Sequence, residues 1–140
     1  MVAMLGSTEV EGKKINDLLK EGRISKEKLD QIIDRTKKGG AEIVKFLEKG
    51  SAFYAPAASG VEMAECYLKN LKKQLPCAVY LNGEYGAKDI YAGVPVIIGS
   101  GGVEKIIELQ LSEEEKANFE NSVKAVNELF SAAKKIDPSL

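Results

Sequence analysis

Residues 76–112 read PCAVYLNGEYGAKDIYAGVPVIIGSGGVEKIIELQLS, and this stretch decides the predicted fold. It contains three apolar segments of strand length, separated by short polar or glycine-containing links. The segments are Pro76–Leu81, Ile90–Ile98 and Val103–Leu109. Asn82-Gly83 is a strong turn signal, and links this short favour antiparallel neighbours. We therefore predict an antiparallel meander, in which Gly93 and Pro95 indicate that the second strand is an edge or carries a bulge.

Helical periodicity surrounds this meander on both sides. Ser112 and Glu115 form a capping box, and the helix that follows is predicted to stop at Asp137-Pro138. Its apolar face consists of Phe119, Val123, Val126, Phe130 and Ala133. Helices before and after a meander predict an α+β fold, in which an antiparallel sheet packs with long helices, in a single domain spanning residues 1–140.

The N-terminal half is predicted to be mostly helical. Val2–Leu5 reads as a short strand, Lys14–Lys20 as a helical turn, and Ser25 as the N-cap of a longer helix. The pair Gly39-Gly40 interrupts that helix. Because each glycine costs about 1 kcal/mol in a helix interior, we predict a bend or a joint between two helices there. Another helix is predicted to begin around Pro56, since proline needs no N–H in a first turn.

The composition excludes several classes of function. Twenty basic and twenty-one acidic side chains leave a net charge of −1, which gives no reason to expect nucleic acid or an anionic membrane as a partner. No apolar run approaches the length of a membrane span, so a cytoplasmic protein is expected. Cys66 and Cys77 lie in apolar surroundings without CxxC spacing, which favours two reduced core cysteines over a disulfide.

The most informative count is that of histidine, which is zero. Histidine is the side chain best suited to proton transfer near neutral pH, and a serine triad needs one. The arginines are only Arg23 and Arg35, although sites for dicarboxylates favour arginine forks. The chain alone is therefore a poor candidate for a self-sufficient enzyme.

Two motifs resemble chemical sites, but simpler explanations are favoured. Gly99-Ser100-Gly101-Gly102 follows a strand, as in dinucleotide-binding loops, yet the sixth position of that motif would be Glu104. A tight hairpin is the better prediction. The carboxylates Asp30, Asp34, Glu42 and Glu48 lie among lysines and are predicted to belong to solvated helix faces.

The segment Ser51–Ser59, SAFYAPAAS, is the candidate site. It is a small-residue junction leading into a helix, with an aromatic pair near its centre. Two interpretations stay open: a packed helix–helix joint, or the wall of a small-substrate pocket in which a hydroxyl or a backbone N–H reaches the ligand.

This segment and its surroundings resemble the malate dehydrogenases of the lactate-dehydrogenase-like type. The resemblance runs through nearly the whole chain in one order. It rests on Gly39–Val44 (GGAEIV), Gly50–Ser59 (GSAFYAPAAS), Leu75–Ala78 (LPCA), Leu81–Gly86 (LNGEYG) and Tyr91–Glu108 (YAGVPVIIGSGGVEKIIE).

The resemblance implies that this chain is the C-terminal, substrate-side domain and that a Rossmann domain, absent here, binds NAD. It also implies that the catalytic histidine lies before the position of Met1, so that no catalytic residue falls on this chain. The whole enzyme would interconvert malate and oxaloacetate, a dicarboxylate pair, and the isolated chain would be inactive.

The family resemblance assigns substrate-pocket lining to Ser51, Ala52 and Pro56. Lactate-specific members have threonine at the position of Ala52, and alanine would leave room for a larger, more polar substrate end. Gly6-Ser7-Thr8 corresponds to a loop near the pocket, although Glu9–Lys14 departs from the family pattern.

A homo-oligomer is expected from the family, with the helix from Pro56 as a contact surface. Two alternatives remain. One is a stand-alone α+β binding or oligomerisation module without catalysis, and the other is the same domain of a lactate dehydrogenase.

Overall fold

A computed structural model describes residues 1–139. The chain divides into two compact units, Met1–Ala58 and Ser59–Leu140. The first contains the strands β1 (Glu9–Val10) and β2 (Lys13–Lys14) and the helices α1 (Ile15–Lys20) and α2 (Lys26–Leu47). Helix α3 (Tyr54–Lys69) begins in the first unit and ends in the second. The second also holds β3 (Lys73–Asn82), β4 (Lys88–Gly99), β5 (Gly102–Ile106) and α4 (Glu113–Ile136).

The first unit is built around a small apolar cluster. Ile15, Leu18 and Leu29 are its buried members, and four partly buried residues pack against them: Leu5, Leu19, Ile24 and Ile33. The predicted helix at Lys14–Lys20 is confirmed as α1, and Ser25 caps α2 by accepting a hydrogen bond from the Lys28 N–H at 3.1 Å. The helix starts were therefore readable from local sequence.

The predicted strand at Val2–Leu5 is wrong. Residues 1–4 have no regular secondary structure and Leu5 begins a turn, in which the Thr8 hydroxyl donates to the Met4 carbonyl at 2.6 Å. A strand needs a partner for its backbone groups, and an apolar run alone does not supply one. The hairpin of this unit instead joins β1 to β2, with left-handed φ values of 51° at Glu11 and 76° at Gly12 in its turn.

Of the bend or joint predicted at Gly39-Gly40, the joint between two helices is not formed, because α2 continues through both glycines to Leu47. The Arg35 guanidinium bridges the glycine pair by donating to Glu42 with both Nη2, at 3.0 Å, and Nε, at 3.2 Å. Two glycines weaken a helix without breaking it, since each costs only about 1 kcal/mol and both retain their backbone N–H groups. The penalty therefore weakens the helix without ending it.

The second unit is a three-stranded sheet with α4 packed against it, and the predicted antiparallel meander is confirmed. Alternate residues of β3 are buried, as expected for a sheet with one covered face. The core contains Cys66 from α3 and a set of residues from the strands and the turn between them: Leu75, Cys77, Val79, Leu81, Ala87, Ile90, Val94, Val96 and Ile98.

Helix α4 confirms the capping box and the stop at Asp137. Ser112 accepts a hydrogen bond from the Glu115 N–H at 3.3 Å, and Glu115 Oε2 accepts from the Ser112 N–H at 2.8 Å. Of the apolar face predicted for this helix, Phe119 and Val123 pack against the sheet core, whereas Phe130 is 48% exposed. The helix is therefore longer than the sheet surface that it covers.

Strand β4 is not an edge. It is the central strand, ordered β3-β4-β5, and its bulge lies at Ile97/Ile98 and not at Gly93 or Pro95. Pro95 lies opposite Pro76 of β3. The Pro95 carbonyl accepts a hydrogen bond from the Ile107 N–H at 2.8 Å, so the backbone of Pro95 faces β5. A backbone N–H at this position would also point towards β5, and proline therefore removes no hydrogen bond to β3.

The third strand is shorter than predicted, ending at Ile106 and not at Leu109. Pairing stops because Pro95 cannot donate to the Ile107 carbonyl. The Tyr85 hydroxyl occupies that role: it donates to the Ile107 carbonyl at 2.5 Å and accepts from the Leu109 N–H at 2.9 Å. We call this pair of bonds the Tyr85 clip. The clip replaces ladder hydrogen bonds with side-chain ones where β5 leads towards α4.

No helix in the described part of the chain is long and apolar enough to cross a lipid bilayer.

Candidate functional site

The candidate site lies at the junction between α2 and α3. After Leu47 the chain turns through left-handed backbone at Glu48, with φ 57°, and at Gly50, with φ 92°. A conformation of this kind suits glycine, because any side chain would be strained there. Ser51 and Ala52 follow outside regular secondary structure, where Ser51 is exposed and Ala52 is half-buried. The Ser51 hydroxyl is thus available as a donor or an acceptor.

The first turn of α3 forms the other side of the junction. Pro56 is exposed at the third position of the helix, where its missing N–H leaves no intrahelical bond unmade. The Ala57 N–H makes an early helical hydrogen bond to the Phe53 carbonyl at 2.9 Å. Phe53 and Tyr54 have ring centroids 4.9 Å apart and are 54% and 76% exposed. Ser51, Ala52 and Pro56 therefore share one open, small-residue surface segment.

The segment from Ser51 to Pro56 offers hydrogen-bonding groups and contains no histidine, carboxylate, lysine or cysteine. Its polar groups are the Ser51 hydroxyl, the Tyr54 hydroxyl and backbone N–H groups, which can orient a ligand by hydrogen bonds. General acid–base catalysis requires a side chain whose pKa lies near the operating pH. With hydroxyl and backbone groups, the segment has the chemistry of a binding surface.

The predicted solvated positions of Asp30, Asp34 and Glu48 are confirmed, since all three are exposed, whereas Glu42 is half-buried beside Arg35. Asp30 pairs with Lys26 at 3.4 Å and Asp34 with Lys38 at 2.9 Å, both one turn apart. The hydrogen bond from Arg35, followed by its positive charge, lowers the pKa of Glu42 below its ordinary value. Across residues 1–139, no three histidine, cysteine or carboxylate side chains cluster in a way that could hold a metal ion.

The glycine loop at residues 99–102 is confirmed as a tight hairpin joining β4 to β5. Glu104 Oε1 would be 2.2 Å from a Cβ at Gly99, so this carboxylate occupies the space beside the loop. The Ser100 N–H is already donated to Asn70 Oδ1 at 3.0 Å. Glu104, which pairs with Lys72 at 3.5 Å, fills the space that a pyrophosphate would need, so the loop does not fit a nicotinamide dinucleotide.

Both cysteines lie in the core, as predicted, with free thiols. Burial raises the pKa of Cys77, and the neighbouring Cys66 adds to this shift. A thiol that is protonated at neutral pH is a poor nucleophile. Neither cysteine belongs to a reactive site.

Sequence reasoning missed a groove of about 770 Å³ in the second unit, between α4 and the turn at Tyr85. Ala87, Phe119 and Val123 give it an apolar floor, while Lys116 and Lys124 contribute to its rim. In the sequence, this groove is indicated only by the length of the apolar face of α4, which extends beyond the part that packs against the three-stranded sheet.

Comparison with known proteins agrees with the α+β fold. Residues 1–136 match the lactate/malate dehydrogenase, alpha/beta C-terminal domain. The chain therefore belongs to the lactate/malate dehydrogenase family and corresponds to its C-terminal domain.

Relatives of known sequence narrow the comparison to malate dehydrogenases. The malate dehydrogenase of Pelagibacter ubique is 64% identical over 140 residues, which is 100% of this chain and 44% of the relative. That of Caulobacter vibrioides is 53% identical with the same coverage. The chain thus spans less than half the length of these relatives.

Solved structures give the same family. The lactate dehydrogenase of Eimeria maxima, solved with NADH and oxamate, superposes with a TM-score of 0.91 and 40% identity, over 96% of this chain and 42% of that one. The malate dehydrogenase of Cryptosporidium parvum gives 0.88 and 42% identity, over 92% and 41%.

Proposed function

We propose that this chain is the substrate-side part of a malate dehydrogenase, which as a whole interconverts malate and oxaloacetate with NAD as the hydride carrier. The observation that carries this proposal is the 64% identity to a malate dehydrogenase along all 140 residues. The lactate dehydrogenase alternative has less support, because the lactate dehydrogenases compared are 40% and 41% identical.

The chemistry of the whole enzyme divides between two parts. The glycine loop closed by Glu104 does not suit the cofactor, and the chain has no histidine to exchange a proton with the substrate. Arg35 already pairs with Glu42. NAD binding and catalysis are therefore assigned to the preceding part of the protein, a Rossmann domain, and the isolated chain is inactive.

Exposed apolar side chains favour a part of a larger body over a stand-alone module. Phe46 is 77% exposed, Leu68 is 80% exposed and Leu129 is 72% exposed. Large apolar groups left in water are typical of surfaces that other protein covers. In the whole protein the cover is a Rossmann domain together with a second subunit of a cytoplasmic homo-oligomer.

The test of this division joins the chain to the N-terminal part of the Pelagibacter ubique relative. Oxidation of NADH is followed by nicotinamide absorbance with oxaloacetate as the substrate. We expect turnover by the joined protein and none by the 140-residue chain. Turnover by the isolated chain, or a folded joined protein that binds NADH but does not reduce oxaloacetate, would contradict the proposal.

Within this function, Ser51, Ala52 and Pro56 are proposed to line the substrate pocket. Ala52→Thr in the joined protein narrows the space beside the substrate. We expect kcat/KM for oxaloacetate to fall by roughly 10- to 100-fold relative to that for pyruvate, since pocket contacts of this size are worth about 1–3 kcal/mol. NADH binding should be unchanged.

Ala125→Thr is the matched control, because it makes the same substitution at an exposed position of α4. It should leave the ratio of the two kcat/KM values unaltered. Equal ratios for Ala52→Thr and Ala125→Thr would remove Ala52 from the pocket, while activity of the joined protein would still support the dehydrogenase assignment.

A further inference from the structure

We draw no further inference here: the strongest candidate, the groove of about 770 Å³ between α4 and the turn at Tyr85, is an unpartnered apolar surface, and nothing in the described part of the structure shows what covers it.

Discussion

Replacing Tyr85 by phenylalanine tests whether the Tyr85 clip substitutes for the hydrogen bond that Pro95 cannot make. The substitution deletes one oxygen atom and keeps the ring, whose centroid lies 5.2 Å from that of Phe119. No cavity forms, so the change isolates the two hydrogen bonds, to the Ile107 carbonyl at 2.5 Å and from the Leu109 N–H at 2.9 Å. The experiment therefore measures the clip and not the packing.

The expected loss is about 1–2 kcal/mol in the free energy of unfolding. Each net hydrogen bond contributes about 1 kcal/mol, and both backbone groups are half-buried, so water compensates part of the loss. Urea denaturation followed by circular dichroism gives this number. Hydrogen exchange locates it, because the Leu109 amide should exchange roughly 5- to 30-fold faster in Tyr85→Phe.

Tyr80→Phe is the matched control. Its hydroxyl lies 2.6 Å from Asp89, but Tyr80 is 48% exposed, so we expect a change within about 0.5 kcal/mol. Equal unfolding free energies for the two variants, or an unchanged exchange rate at Leu109, would refute the role assigned to Tyr85. Pro95 would then stay in a central strand without a compensating donor.

Two further predictions concern the helix glycines and the buried thiols. Gly40→Ala should stabilise the chain by about 0.5–1 kcal/mol in urea denaturation, because a Cβ there meets nothing within 4 Å in a regular helix. Gly50→Ala, where φ is +92°, should instead destabilise it, and the same sign for both would contradict the backbone argument. Cys66 and Cys77 should resist alkylation until urea is added. Burial raises the pKa of Cys77 in the folded state, so the protonated thiol contributes its full stability below the ordinary pKa of a cysteine. That contribution is lost as the pH rises through the folded value, which urea titrations at increasing pH measure.

Features that depend on a few neighbouring residues were predictable from the sequence. The Ser25 cap and the Ser112–Glu115 capping box each involve residues within one helical turn. The burial of β3 follows from its alternation of side chains along one strand. The junction Ser51–Ser59, leading into a helix, was also predicted from its residues, whereas pocket lining by Ser51, Ala52 and Pro56 was implied only by the family resemblance and stays a prediction. Its role was not determined by these residues alone, because a pocket wall acquires its chemistry from the groups that it faces.

Two of the errors share one cause, which is that a backbone group can find its partner far along the chain. Val2–Leu5 has the apolar pattern of a strand but no neighbour to pair with. Gly93 and Pro95 predicted an edge or a bulge because proline lacks a donor. Strand β4 is central instead, and the Tyr85 hydroxyl, ten residues before Pro95, donates to the Ile107 carbonyl. Neither the availability of a neighbour nor a distant hydroxyl is visible in local periodicity.

Under the proposed function, the missing acid–base group and the exposed apolar side chains follow from one division of labour. A pocket formed by two parts of a protein lets one part carry proton and hydride transfer while the other sets the shape of the substrate end. The shaping part then needs small side chains such as Ala52 where it meets substrate, and apolar ones such as Leu68 where it meets protein. Both kinds of residue are present in this chain. Under the proposed function, its sequence therefore specifies the fold of the substrate-side part and leaves catalysis to the Rossmann domain.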